Sequence, residues 1–336
     1  MRPVCRHYGG IAAGGGAALP AMLARMPPVR PPILLFHRRY RSFQGGHLKL
    51  RDYIGHTAAS GLFAPALHMA ESAAGHPFAD ACPLWPAYRP ERAAALFLAG
   101  MDWDALPCGE EHRRPVINLL QGLRHADPAD RRFAFLARPA IRLCVSSAVA
   151  EAVRATGQAS GPVLCLPAGV DLAEIPCPAS RPVAVVVAGL KRPDLARAIA
   201  ARLAPALPVD CLTQPLPRPA FLARLGAARI AITLPEVAEG CFLPALEAMA
   251  AGCAVICPDA GGNRDFCRDG ETCLMPPATP PDLADAACAL LADGAWAARL
   301  AAAGRAEAAR RSLAAERAAF IAVLASVASR LSPAAV

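Results

Sequence analysis

The chain has 336 residues, enough for two cores of ordinary size rather than one, and no apolar run reaches the length that a bilayer-crossing helix needs. Its net charge of +8 lies wholly in residues 1–170, where 19 Lys and Arg face 11 Asp and Glu; residues 171–336 balance at 16 against 16. That surplus points to an anionic partner or an anionic membrane surface for the first half. Nucleic acid is the rival, and no basic helix or base-stacking motif of a known reader supports it.

Residues 1–30 contain Gly9-Gly10 and Gly14-Gly15-Gly16, which break any signal-type apolar stretch. They read as a disordered lead, or as a start placed ahead of Met22 or Met26. Ile33–Phe36 is the first expected strand. The basic run Arg38, Arg39 and Arg41 beside Tyr40 follows, then a loop ending at Gln44-Gly45-Gly46 and a helix from about His47. The glycine pair is either a flexible turn or a place for close backbone approach. Leu96-Phe97-Leu98 is a weaker strand. Val116–Leu120 is a strong one, leading into Gln121-Gly122-Leu123-Arg124-His125. Ile141–Ser146 reads as a strand before a helix, and Val163–Leu166 closes this half at Pro167-Ala168-Gly169-Val170-Asp171.

The second half opens with the buried-type run Val183–Ala188, followed by Gly189-Leu190-Lys191-Arg192 and a helix through Leu203. A basic pair opposes the dipole at a helix N-terminus, so either an anion lies nearby or the pair faces solvent. Ile230–Leu234 is the next strand, and Glu239-Gly240-Cys241-Phe242-Leu243-Pro244 leads into a helix carrying Glu247 in its first turn and ending at Gly252. Ala254–Cys257 then runs to Asp259-Ala260-Gly261-Gly262. Strand, loop, helix, strand is a βαβ unit, so both loops face one crevice at the carboxyl edge of a parallel sheet. The two glutamates are either hydroxyl acceptors beside a phosphate-binding helix start, or an ordinary helix Glu and a solvated loop Glu. From Pro281 the chain reads as helical, over Leu283–Leu291 and then Trp296–Leu331, with few breakers beyond Gly304. Thirteen cysteines without close C-x-x-C pairs read as reduced, buried thiols of a cytoplasmic protein. Cys253, Cys257, Cys267 and Cys273 match no common zinc spacing, so no metal is expected.

The stretch Ile230–Pro277 resembles retaining family-four glycosyltransferases of the GT-B fold. The carriers are Glu239 to Gly252, Val255 to Asp265, and Asp269-Gly270 through Leu274 to Pro276-Pro277. The resemblance implies an α/β protein with two Rossmann-like domains facing across a cleft. The boundaries it suggests are 31–177 for the acceptor side and 178–315 for the nucleotide sugar. A final helix over 316–336 would return to the first domain. It implies transfer of a hexose from a nucleoside diphosphate sugar to an unknown acceptor, with retention and without metal or other cofactor. A non-catalytic nucleotide-sugar binder is the alternative, and a glycoside hydrolase a lesser one.

By the same resemblance, Glu247 accepts from the ribose hydroxyls and Glu239 contacts the transferred sugar. Gly240 and the backbone of Cys241, Phe242 and Leu243 lie along the sugar and diphosphate. Lys191 aligns with the family's phosphate-binding Lys, and Arg192 stands next to it. Gly45-Gly46 lets the backbone approach the donor, Gln121 takes the position of a family His, and His125 stands four residues on. Three departures are visible: Cys241 replaces a Phe, the second turn glycine is lost, and no residue aligns with the family's phosphate-binding Arg. Leaving-group stabilisation by Lys191 and the helix start is the expected chemistry. The expected location is cytoplasmic, with peripheral association at the inner face of the membrane as an extension.

Overall fold

The computed structural model describes residues 30–40, 45–72, 76–78 and 80–331. The lead expected over residues 1–30 lies, apart from Arg30, outside them, as do Arg41 and Gln44. The first half alternates β1 (Ile33–Tyr40), α1 (Gly45–Ser60), β2 (Ala64–Ser72), β3 (Leu84–Trp85), β4 (Ala95–Ala99), β5 (Val116–Leu120), β6 (Ile141–Cys144), α2 (Ser147–Ala155) and β7 (Val163–Cys165). The second contains β8 (Val183–Ala188), α3 (Pro193–Leu203), β9 (Val209–Leu212), α4 (Arg218–Ala227), β10 (Ala228–Thr233), α5 (Leu243–Ala250), β11 (Ala254–Ile256), α6 (Pro280–Ala292), α7 (Gly294–Arg310) and α8 (Leu313–Leu331).

Every strand pairing is parallel. That is why β4, β5 and β8 are near-continuous apolar runs rather than alternating ones: helices cover both faces of a parallel sheet. One sheet has seven strands in the order β3-β2-β1-β4-β5-β6-β7, and the other has four, β11-β10-β8-β9. In the smaller sheet β9 and β10 flank β8 on opposite sides, so the winding reverses between β8 and β10. The loops after those strands carry Lys191 and Glu239, and such a reversal opens a ligand crevice at the strands' carboxyl ends.

The helical tail differs from its sequence pattern. The pattern reads as helical from Trp296 to Leu331 with a last helix from 316, and the chain breaks a few residues earlier, at Arg311-Ser312. There the Val170 N–H donates to the Arg311 carbonyl at 3.0 Å and the Leu313 N–H to the Val170 carbonyl at 2.8 Å. Those bonds divert backbone groups that a continuous helix would have used. Gly304 stays inside α7 because α7 lies tight on α5: a Cβ there would stand 3.0 Å from the Thr272 carbonyl and 3.1 Å from Met249 Cγ. Past the break, α8 sets Phe320, Leu324 and Val327 into the core beneath the seven-stranded sheet, with Phe320 edge-on to Tyr53 at 4.7 Å. No single described helix is long and apolar enough to cross a membrane; α6 and α7 pass that test only as a pair bent by 106°.

Candidate active site

The carboxyl edges of both sheets meet around a cavity of about 560 Å³. From the first half come Gly46, Leu48 and Lys49 of α1, Gln121 after β5, Val145 after β6 and Ala168. The second half supplies most of the charge: Lys191 after β8, Arg218 at the start of α4, Glu239 after β10 and Glu247 on α5.

Glu247 forms part of the wall from inside a core helix. All of Ala245–Ala250 is buried, so α5 is apolar nearly all round and Glu247 is its polar exception. The helix begins at Leu243, so Glu247 is its fifth residue, just past the first turn rather than within it. Burial pushes its carboxyl above the ordinary carboxylate range, against the pull of Arg218. The Arg218 guanidinium donates to Glu247 Oε1 at 2.5 Å and to Glu174 Oε2 at 2.8 Å. A carboxylate oxygen has two lone-pair directions, so Glu247 keeps acceptor capacity beside that bond.

The start of α5 has no side-chain cap, and Phe242, Leu243 and Pro244 all line the cavity. Not every N–H of this turn is available. The Phe242 N–H donates to Asn263 Oδ1 at 2.8 Å, and Pro244 has none to offer. No acceptor meets the Leu243 N–H among the described residues, so it stands unpaired at the positive end of the helix dipole.

The loop glycines act chiefly through packing. Glu239 and Gly122 form an antiparallel bridge that joins the loops of the two halves. A Cβ on Gly240 would collide with the Gln121 carbonyl and stand 2.8 Å from Gly122 Cα, while one on Gly262 would fall into the Gly240 carbonyl. Cys241 packs against the apolar clusters of both halves, and burial pushes its thiol up to about 12. It is a filler and not a nucleophile.

Lys191 reaches across the cavity mouth to Glu239, and its ammonium lies 5.4 Å from the centre of the Phe242 ring. Both partners line the cavity, with side chains 42% and 13% exposed. Arg192 caps α3 through its backbone, its N–H donating to the Gly189 carbonyl at 3.0 Å, and it does not line the cavity. The Gln121 amide donates to the Gly46 carbonyl at 3.3 Å, which ties the first turn of α1 to the wall; Gly45, expected in a loop, begins that helix. His125 is buried in the turn Leu123–Ala126, away from the cavity lining, and its pKa is pushed down to about 3 by burial and then by Arg132.

Three polar residues of the site carried no sequence signal. Arg218 opens a helix behind Pro215-Leu216-Pro217, and Asn263 follows a glycine pair. Lys49 looks like one more polar position on α1, yet it is buried. Its ammonium donates to Glu316 Oε2 at 2.5 Å, Asp52 Oδ2 at 2.8 Å and the Gly169 carbonyl at 3.0 Å. Burial opposes its charge, but Glu316 and Asp52 more than offset that and hold its pKa above the ordinary lysine value. With all three protons engaged, Lys49 ties α1 to α8 beneath the cavity.

No curated protein sequence matches the chain. The family model described as Glycosyl transferases group 1 matches residues 172–293. HepE of Anabaena, solved with UDP and glucose, superposes with a TM-score of 0.71 at 15% identity, over 88% of this chain and 100% of that one. Sucrose-phosphate synthase of Thermosynechococcus elongatus gives 0.71 at 16% identity, over 90% and 100%. A glycosyltransferase of Rickettsia africae gives 0.67 at 10% identity, over 88% and 98%. At such identities the likeness establishes the architecture, and the segment matched by the family model contains Lys191, Arg218, Glu239 and Glu247. The chain has the GT-B fold, and its residues 172–293 match the family model of glycosyl transferases group 1.

Proposed function

We propose that the protein transfers a hexose from a nucleoside diphosphate sugar, UDP-linked as in the HepE complex, to an acceptor held by the first half, with retention and without metal. One observation carries this reading: Glu247 lies buried in the wall of a cavity that also holds an uncapped helix N-terminus and Lys191. Glu247 would accept from the ribose hydroxyls, the Leu243 N–H and Lys191 would meet the diphosphate, and Glu239 would hold the sugar.

As the bond from the anomeric carbon to the diphosphate oxygen breaks, negative charge grows on that oxygen. Lys191 and the α5 dipole would stabilise it, supplying the positive charge a metal provides elsewhere. The acceptor hydroxyl would then give its proton to a phosphate oxygen on the same face. Lys191 must leave Glu239 to do this, and an exposed pair of that kind holds by less than about 1 kcal/mol. His125, neutral and buried, would back the loop that carries Gln121. The basic surplus of the first half supports an anionic acceptor, presented in the cytoplasm or at the inner membrane face. Both cavity glutamates are paired with cations, which suits gripping and charge balance better than the free acid of glycoside hydrolysis.

The test is a thermal-shift screen of UDP, GDP, ADP and their sugars, with Glu247→Ala as control. The wild type should be stabilised and the variant should not; no stabilisation by any nucleotide, or an equal response in both, overturns the reading. For the stereochemistry, NMR of the product should show the donor's anomeric configuration, and an inverted product would refute retention.

A further inference from the structure

The Arg218 contact asks for an explanation that the reading above does not supply. A carboxylate whose task is to accept from two sugar hydroxyls gains nothing from one more donor, yet Arg218 approaches Glu247 Oε1 to 2.5 Å. The guanidinium is not merely neutralising a stray charge. It is held at its other edge by Glu174, which belongs to the segment between β7 and β8, so it bridges two acids on different parts of the chain. The side chains have graded exposure: Glu247 is 4% exposed, Arg218 26% and Glu174 51%. The chain runs from solvent to the buried carboxylate through one planar fork.

We infer that Arg218 is a positioning and specificity-determining residue, which locks the Glu247 carboxylate in the orientation that reads the ribose diol of the nucleotide. This rests on the proposed donor role of Glu247. The geometry supports it in two ways. A single bond from the guanidinium holds Oε1 of Glu247 in place, and the Glu174 anchor holds the guanidinium, which narrows the orientations open to the carboxylate. The bond also favours the charged form: burial pushes the Glu247 carboxyl up, and Arg218 opposes that rise. A protonated Glu247 would offer a hydroxyl donor to one ribose hydroxyl instead of accepting from both, which blunts recognition of the diol. Arg218 therefore acts through Glu247, and its removal should be felt at the ribose hydroxyls rather than along the whole nucleotide.

The readout is the ratio of affinities for UDP and 2′-deoxy-UDP, measured by calorimetry on the full chain. The wild type should prefer UDP by at least about tenfold, because a carboxylate built to accept from a hydroxyl loses its partner in the deoxy compound. Arg218→Gln should weaken UDP on the order of tenfold while weakening 2′-deoxy-UDP little, so that the ratio falls toward that of Glu247→Gln. Arg218→Lys should keep part of the preference. Glu174→Gln, at an exposed position that folding tolerates, should lower the ratio in the same direction by less, and keeps the test open if Arg218→Gln does not fold. Equal weakening of both nucleotides in the Arg218 variants, or an unchanged ratio in Arg218→Lys and Glu174→Gln, overturns the inference while leaving the donor site standing. A wild type that binds neither nucleotide brings down the site reading, and this inference with it.

Discussion

The two halves place their charges in opposite ways. In the seven-stranded half, two cations, Lys49 and Arg142, are buried in the core, and Arg38 is half-buried. Lys49 sits in a buried pair with Glu316, Arg38 holds the fully buried Asp102, and Arg142 is buried without any acid, donating to Asn118 Oδ1 at 2.6 Å and lying 5.2 Å from the Trp103 ring centre. In the four-stranded half, Lys191, Arg218, Glu239 and Glu247 all reach the cavity. Net charge pointed to the first half as the electrostatically active one, yet the cavity draws its ionic groups chiefly from the half whose net charge is zero. A sum over sequence counts charges without regard to where they end; a site depends on which of them converge.

That contrast can be broken by substitution. Lys49→Met should carry the largest cost, about 3–5 kcal/mol of stability, because it leaves Glu316 buried and unpaired. Urea unfolding measures it, and a loss below about 1 kcal/mol would mean that the latch between α1 and α8 is not structural. Lys191→Met should do the reverse, lowering turnover about a hundredfold while stability changes by less than about 0.5 kcal/mol. A turnover number within about threefold of wild type would remove Lys191 from the chemistry.

Gly262→Ala probes the packing of two cavity loops of the second half, one of which bridges to Gly122 of the first through Glu239. Its new methyl meets the Gly240 carbonyl, so about 1–3 kcal/mol of stability should be lost. A variant as stable as wild type with weakened nucleotide binding would show instead that this glycine serves the ligand.

The effect of acid belongs to the first half. Burial is the main cause lowering His37 to about 4 and both His56 and His125 to about 3, against 6.5 when unfolded. The unfolded chain therefore binds protons first, so stability is complete above pH 6.5 and declines as pH falls toward 4 and then 3. At least about 1 kcal/mol should be lost between pH 6.5 and 5, read from the urea midpoint. A midpoint that is flat or rises over that interval would contradict the burial of these imidazoles.

Much of the fold was legible because it is local. Val116–Leu120 and Val183–Ala188 are apolar runs long enough to be strands and bounded by turn residues, and both form as read. β9 and α4 were not read, since Val209–Leu212 is four residues with an Asp among them and α4 follows two prolines in three positions. Arg218 was lost with them. Of the site, the glutamates and Lys191 stood in motifs, whereas the partners that orient them did not.

What the sequence alone determined is the order of most strands and helices, a helix opening close to Pro244, and the placing of Glu239 and Glu247 on either side of that opening. These follow from propensity and spacing within about ten residues. Only the tertiary structure decided that Arg218 holds Glu247, that Asn263 takes the Phe242 N–H, that Lys49 closes on Glu316 across 267 positions, and that the tail breaks where Val170 meets it. Such contacts depend on which surfaces the packed sheets bring together, and no local preference along the chain encodes them.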